Sequence, residues 1–103
     1  MPLEEKITNG KVTYIHSFNY DGINDQIKFN FLYDPNNPTF INLTATFNEI
    51  SDLHIERIEK KDHAYLQQII GIDEYQEKDT MKYVIQTDIK TISFKTEEEP
   101  LIK

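Results

Sequence analysis

The chain has 103 residues, no cysteine, and 18 acidic against 11 basic side chains, a formal net charge of −7. Its length predicts one domain, 1–103, with room for a core that needs no covalent staple, and the missing cysteines exclude disulfides, zinc fingers and thiol catalysis. The acidity argues against nucleic acid and anionic membranes as partners, because their charges would repel it, and no apolar run reaches the roughly 18 residues of a membrane helix.

Six Phe and six Tyr supply much of the apolar material. Rings and β-branched side chains pack well on a pleated surface, so the expected core is sheet. The opening Met-Pro-Leu-Glu-Glu-Lys has no basic segment followed by an apolar one, which predicts no signal peptide and a cytoplasmic protein. Frequent Ile, Lys, Asn and Tyr with a single Arg point to an AT-rich bacterial or phage genome.

Taken in order, the chain first meets Asn9-Gly10, a pair that favours a tight turn. It closes either a hairpin or a short helical turn with Gly10 as its cap. A strand over 11–18 follows, with Val12 and Tyr14 on one face and Thr13 and Ile15 on the other; 19–25 reads as a loop about Asp21-Gly22. The clearest pattern is a hairpin. Ile27, Phe29, Phe31 and Tyr33 alternate with polar residues over 26–33, and Ile41, Leu43, Ala45 and Phe47 do so over 39–47. A period of two marks strands with one face buried, and Asp34-Pro-Asn-Asn-Pro38 between them is turn chemistry.

A polar connection is expected over 48–52, then a strand over 53–58 with Leu53 and Ile55 inward and His54 and Glu56 outward. A charged turn over 59–63 leads into 64–70, readable as a two-turn helix between Asp62 and Gly71 or as a strand with Leu66, Ile70 and Ile72 on one face; the surrounding strands favour the strand. The stretch 73–80 is polar enough to predict a loop. A second hairpin about Asp88 sets Tyr83 and Ile85 against Ile92 and Phe94, and a solvated acidic run ends the chain with Pro100 at an edge. The predicted fold class is mainly β: an antiparallel β-sandwich or rolled sheet of six to eight short strands with at most one short helix.

Catalytic chemistry has little support. His16, His54 and His63 lack ligand spacing, and His54 with Glu56 on one strand face is expected to meet solvent. His16 and Asp21 stand close enough in sequence to pair, although a loop hydrogen bond is the commoner use of such residues. Asp73, Glu74, Glu77 and Asp79 crowd one loop without the glycine and terminal glutamate of a calcium-binding hand. The pattern holds no nucleophile elbow and no phosphate-binding glycine loop, so no catalytic residue, metal or cofactor is expected. Asn42-Leu43-Thr44 matches the glycosylation triplet within a strand and is read as chance.

Three stretches carry a resemblance: His16-Ser-Phe-Asn-Tyr-Asp-Gly-Ile23, a strand–turn–strand step from Leu43 to Ile55, and a closing set made of Ile70-Gly-Ile-Asp73, Tyr83-Val-Ile85 and Ile92-Ser-Phe94. Together the layout resembles small immunity-type proteins of bacterial polymorphic toxin systems. Comparable members often carry a His–Asp pair in the early turn, whereas His16 and Asp21 here are five apart. The resemblance implies a small, acidic, non-enzymatic protein that blocks a toxin by binding it.

The residues themselves point to protein binding as well. Tyrosine beside carboxylate suits a basic partner, since the ring gives contact area and the acid gives complementarity. That pattern singles out Tyr20, Asp21 and Asp25 in one loop and Asp73, Glu74, Tyr75 and Glu77 in another. Two other readings stay open: a bacterial or phage structural domain that self-associates, for instance as a homodimer, through a sheet edge, and a small ligand binder or enzyme with a pocket between sheets.

Overall fold

The computed structural model describes residues 2–58 and 66–103. The expected charged turn over 59–63, with His63, and the start of the ambiguous segment, 64–65, lie outside the described residues. One short helix opens the chain, α1 (Leu3–Thr8), and eight strands follow: β1 (Tyr14–Asp21), β2 (Gln26–Leu32), β3 (Leu43–Phe47), β4 (Ile50–Arg57), β5 (Gln67–Glu77), β6 (Thr80–Thr87), β7 (Lys90–Thr96) and β8 (Leu101–Ile102). They form one antiparallel sheet in the order β4-β7-β6-β5-β1-β2-β3-β8, not closed into a barrel.

The sheet is rolled because its two halves meet over a very short ladder. β1 and β5 pair only at Tyr14–Gln68 and Ile15–Gln67. From there β1-β2-β3-β8 and β4-β7-β6-β5 turn their apolar faces toward each other. Phe29 and Phe47 of the first half meet Phe94 of the second at ring-centre distances of 6.2 and 4.8 Å, and Phe47 meets Tyr83 at 5.4 Å. Ile27, Phe29, Phe31, Phe47, Ile85, Ile92 and Phe94 have no exposed surface at all.

The central hairpin keeps Ile27, Phe29, Phe31, Leu43, Ala45 and Phe47 of the expected inward set, with Ile27 opposite Phe47, Phe29 opposite Ala45 and Phe31 opposite Leu43, while Tyr33 and Ile41 fall outside the strands. Its connection is longer than the five-residue turn. β2 ends at Leu32 and β3 starts at Leu43, because Asn42 closes the loop: its N–H donates to the Phe31 carbonyl (2.9 Å) and its side chain accepts the Tyr33 N–H (3.0 Å). Tyr33 therefore leaves the strand pattern, and its hydroxyl reaches the Ile7 carbonyl at 2.7 Å. The second hairpin matches expectation pair for pair, Tyr83 opposite Phe94 and Ile85 opposite Ile92.

At the N-terminus the helical alternative is the one formed. Leu3 and Ile7, four apart, bury against the core. Asn9, in the left-handed region (φ 51°), ends the helix, with Gly10 (φ 74°) following it. Glu4 anchors the helix to the sheet by accepting the Ile72 N–H at 2.8 Å.

Several expectations are corrected. The strand expected over 11–18 runs from Tyr14 to Asp21, which leaves only 22–25 as the turn. The polar connection over 48–52 shrinks to Asn48-Glu49, where Glu49 takes a left-handed φ of 51° and swings the chain from one half to the other. β4 begins earlier than expected, at Ile50, and after a bulge between Ser51 and His54 it brings Ile55 opposite buried Ile92, so Leu53 and Ile55 keep the expected inward face. On this terminal strand Leu53 is half-buried against the core and Ile55 is exposed. The strand reading of the ambiguous segment holds over Gln67–Ile70, but a bulge between Ile69 and Gly71 turns Ile70 outward, and β5 continues through the expected loop to Glu77. The polar residues over 73–77 form strand because β6 supplies a complete ladder, from Asp73–Val84 to Glu77–Thr80.

Thr87, almost fully buried at the β6–β7 turn, holds that hairpin together. Its oxygen accepts the N–H groups of Ile89 (3.2 Å) and Lys90 (2.8 Å). Thr87→Val keeps the shape but orphans both donors. It is expected to cost about 1–3 kcal/mol, read from the urea midpoint at unchanged slope.

Candidate functional site

A cleft of about 270 Å³ opens between α1, the far ends of β5 and β6, and the chain leaving β7. Its lining includes Leu3 and Lys6 from α1, Glu74 and Gln76 from β5, Met81 and Tyr83 from β6, and Glu97, Glu98 and Glu99 after β7, with Asp79 in the β5–β6 turn. Five carboxylates thus face one lysine.

Each wall follows from local structure. Glu74 and Gln76 fall on the same face of β5 as buried Ile72, since strand side chains repeat every two residues, but they lie beyond the core where the face opens. The acidic run is held at the end of β7 by Thr96, whose hydroxyl donates to the Asn48 carbonyl at 2.6 Å and accepts the Glu98 N–H at 3.2 Å. Glu74 also accepts the Leu3 N–H through a long 3.4 Å contact, so it both lines the cleft and steadies α1.

Tyr83 is the floor. Its ring packs on Phe47 and Phe94, and the residue is only 6% exposed. Among the described residues no group hydrogen-bonds its hydroxyl, yet no buried side-chain polar atom lacks a partner. The hydroxyl is therefore the point at which Tyr83 meets solvent, in the cleft. Burial, then the charges of Glu74 and Glu99, hold its phenol above the ordinary value, so it stays a neutral hydroxyl.

The residues singled out from sequence are not brought together. Tyr20, Asp21 and Asp25 sit at the β1–β2 turn and Asp73, Glu74, Tyr75 and Glu77 on β5, in different halves of the sheet; among the described residues no hydrogen bond, ion pair or ring contact joins the two groups. Asp21 is occupied by its own turn, accepting the Asn24 amide (2.7 Å) and the N–H groups of Ile23 (3.0 Å) and Asn24 (3.3 Å). The ring of Tyr20 lies over Gly22, leaving the tyrosine about half exposed. Glu77 pairs with Lys95 at 3.1 Å, and Asp52 joins from 3.5 Å. Asp25, Asp73 and Tyr75 are exposed. His16 and Asp21 do not pair: His16 is the bulged residue of β1, with its Nδ1 3.1 Å from the Ser17 hydroxyl. Among the described residues no three His, Asp or Glu side chains come close enough to share a metal ion.

Sequence reasoning found Glu74 but not Tyr83, Asp79 or the 97–99 run as parts of one site. The run was visible as three consecutive acids, and the predicted hairpin already returns β7 beside β6; that the chain beyond Thr96 joins α1 and β5 around Tyr83 is what no local pattern states.

The Asp21 turn gives a pH prediction. The Asn24 amide, then the Ile23 and Asn24 N–H groups, hold its carboxyl below the usual value of 3.8. A lowered native pKa stabilises above the unfolded value, and that stabilisation is lost as the pH falls through the lowered native one. Asp21→Asn should therefore lower Tm at neutral pH, and the gap from wild type should close in strong acid.

No protein-family model and no curated protein matches the chain. No helix among the described residues is long and apolar enough to cross a membrane.

Proposed function

We propose that the chain is a non-enzymatic protein-binding domain whose partner is a basic protein, and that it acts as a bacterial, cytoplasmic immunity protein, neutralising a toxin by occluding its site. The observation that carries this reading is the acidic cleft, five carboxylates around a fixed tyrosine hydroxyl in a chain of net charge −7. A concave, single-sign surface accelerates encounter with a partner of opposite charge and disfavours partners of like charge. The exposed Asp73 and Tyr75, on the face of β5 opposite Glu74, and Tyr20 and Asp25 at the β1–β2 turn are further acidic and aromatic surface outside the cleft. Co-expression with the product of the neighbouring gene tests the idea. Co-purification and rescue of growth support it, and failure to rescue removes it.

A second reading, self-association through a sheet edge, is favoured by β4. This terminal strand carries Ile55 at 43% exposure and is followed by Ile58 at 58%. The Ile58 N–H donates to the Ile89 carbonyl, and hydrogen bonding alternates along an antiparallel pair, so the N–H and C=O of Ile55 face the open side. A dimer by light scattering that persists in high salt would favour this reading.

A further inference from the structure

We infer that the cleft over Tyr83 is a recognition pocket for a single guanidinium group, with the Tyr83 hydroxyl and the Glu74 and Glu99 carboxylates as its acceptors. Two independent features converge on this ligand. The walls are acidic, so the ligand is a cation. The floor is a residue more than nine-tenths buried whose hydroxyl has no hydrogen-bond partner among the described residues and opens into that acidic space. That hydroxyl is open to water or to a ligand, and the cleft is where either meets it.

The size and spacing of the acceptors select the kind of cation. No three acidic side chains among the described residues converge closely enough for a metal ion. The acids instead line a space of about 270 Å³, slightly below the range of about 300–1,000 Å³ typical of drug-sized ligands and suited to one side chain or a small organic cation. Guanidinium presents five N–H donors in a rigid plane and reaches separated acceptors at once, which a compact ammonium does less well. Phe47 and Phe94 fix the Tyr83 ring, so the hydroxyl is in place before the ligand arrives and little ordering remains to be done. Lys6 is the one cationic side chain in the lining and competes for the same carboxylates.

The guanidinium could come from an arginine of a partner protein or from a free guanidinium compound. The first source rests on the function proposed above; the pocket does not. The test is a titration of the full ¹⁵N-labelled chain with arginine blocked at both ends, using the blocked citrulline of the same shape as the neutral control. Saturable shifts centred on Met81, Tyr83 and Glu99 are expected with arginine and none with citrulline. Tyr83→Phe keeps the packed ring and Glu99→Gln alters an exposed side chain, so both should fold and each should weaken binding by about tenfold or more. Lys6→Gln should strengthen it. Equal shifts from citrulline, unchanged affinity in Tyr83→Phe, or no saturable shift at millimolar probe would overturn the inference. Competition between the arginine probe and a co-purified protein assigns the cation to that protein. Probe binding that leaves the protein bound assigns it to a free compound, and the pocket then stands without the proposed partner.

Discussion

Replacing Phe29 with alanine is expected to destabilise the protein by about 3–5 kcal/mol, the largest effect of any single substitution considered. Phe29 is fully buried, and its ring lies 5.5 Å from Phe18, 5.8 Å from Phe31, 5.8 Å from Phe47 and 6.2 Å from Phe94. Those partners sit on β1, β2, β3 and β7, so this one ring ties its own half of the sheet to the other. The halves share only two residue pairs of β1–β5 ladder and a few further hydrogen bonds, such as Ile69 N–H to the Thr13 carbonyl and Ile50 N–H to the Asp25 carbonyl, so the packed core between them carries much of their attachment. A domain of this size has about 5–15 kcal/mol in total. At about 4–8 °C per kcal/mol, Tm should fall by at least about 12 °C. Phe40, also a phenylalanine but 57% exposed in the β2–β3 connection, should tolerate alanine within about 0.5 kcal/mol. Denaturant melts of the two variants check both statements, and equal losses would mean that the rolled core does not depend on Phe29.

The second large effect is on binding. Changing Glu97, Glu98 and Glu99 together to glutamine removes three negative charges from one wall of the cleft while leaving the Thr96 bonds to backbone untouched. All three side chains are exposed, so the fold should be unaffected. Association with a basic partner should slow by about tenfold or more at low salt. The difference should shrink as salt rises, because exposed charges are screened over about 8 Å at physiological ionic strength. Stopped-flow or surface-binding kinetics at two salt concentrations separate this steering effect from a loss of contacts, which would appear in the off-rate and persist in salt.

The alternating strands were legible because period-two patterns report one buried face. Phe29, Phe31, Ala45 and Phe47 on one hairpin, and Tyr83, Ile85, Ile92 and Phe94 on the other, occupy the predicted faces. A bulge and an edge limited the same reasoning elsewhere. The extra residue beyond Ile69 leaves Ile69 and Ile72 inward and Ile70 exposed, and Ile55, opposite buried Ile92, is exposed because β4 is the terminal strand. Composition misled at 73–77, where five polar residues form strand because β6 pairs with every one of them. The helix at Leu3–Thr8 is too short to announce itself and exists because Leu3, Ile7 and Glu4 dock on the sheet. The cleft was the least legible part. Its members come from α1, β5, β6 and the tail, and only the folding-over of the sheet assembles them.

Carboxylate footprinting of the complex with a carbodiimide label tests the acidic cleft as the binding surface, because it reads the lining carboxylates themselves. Glu74, Asp79, Glu97, Glu98 and Glu99 should lose reactivity when the partner is bound, more than Asp34 and Glu49 do. Cleft carboxylates that label equally in the free and bound protein would contradict it.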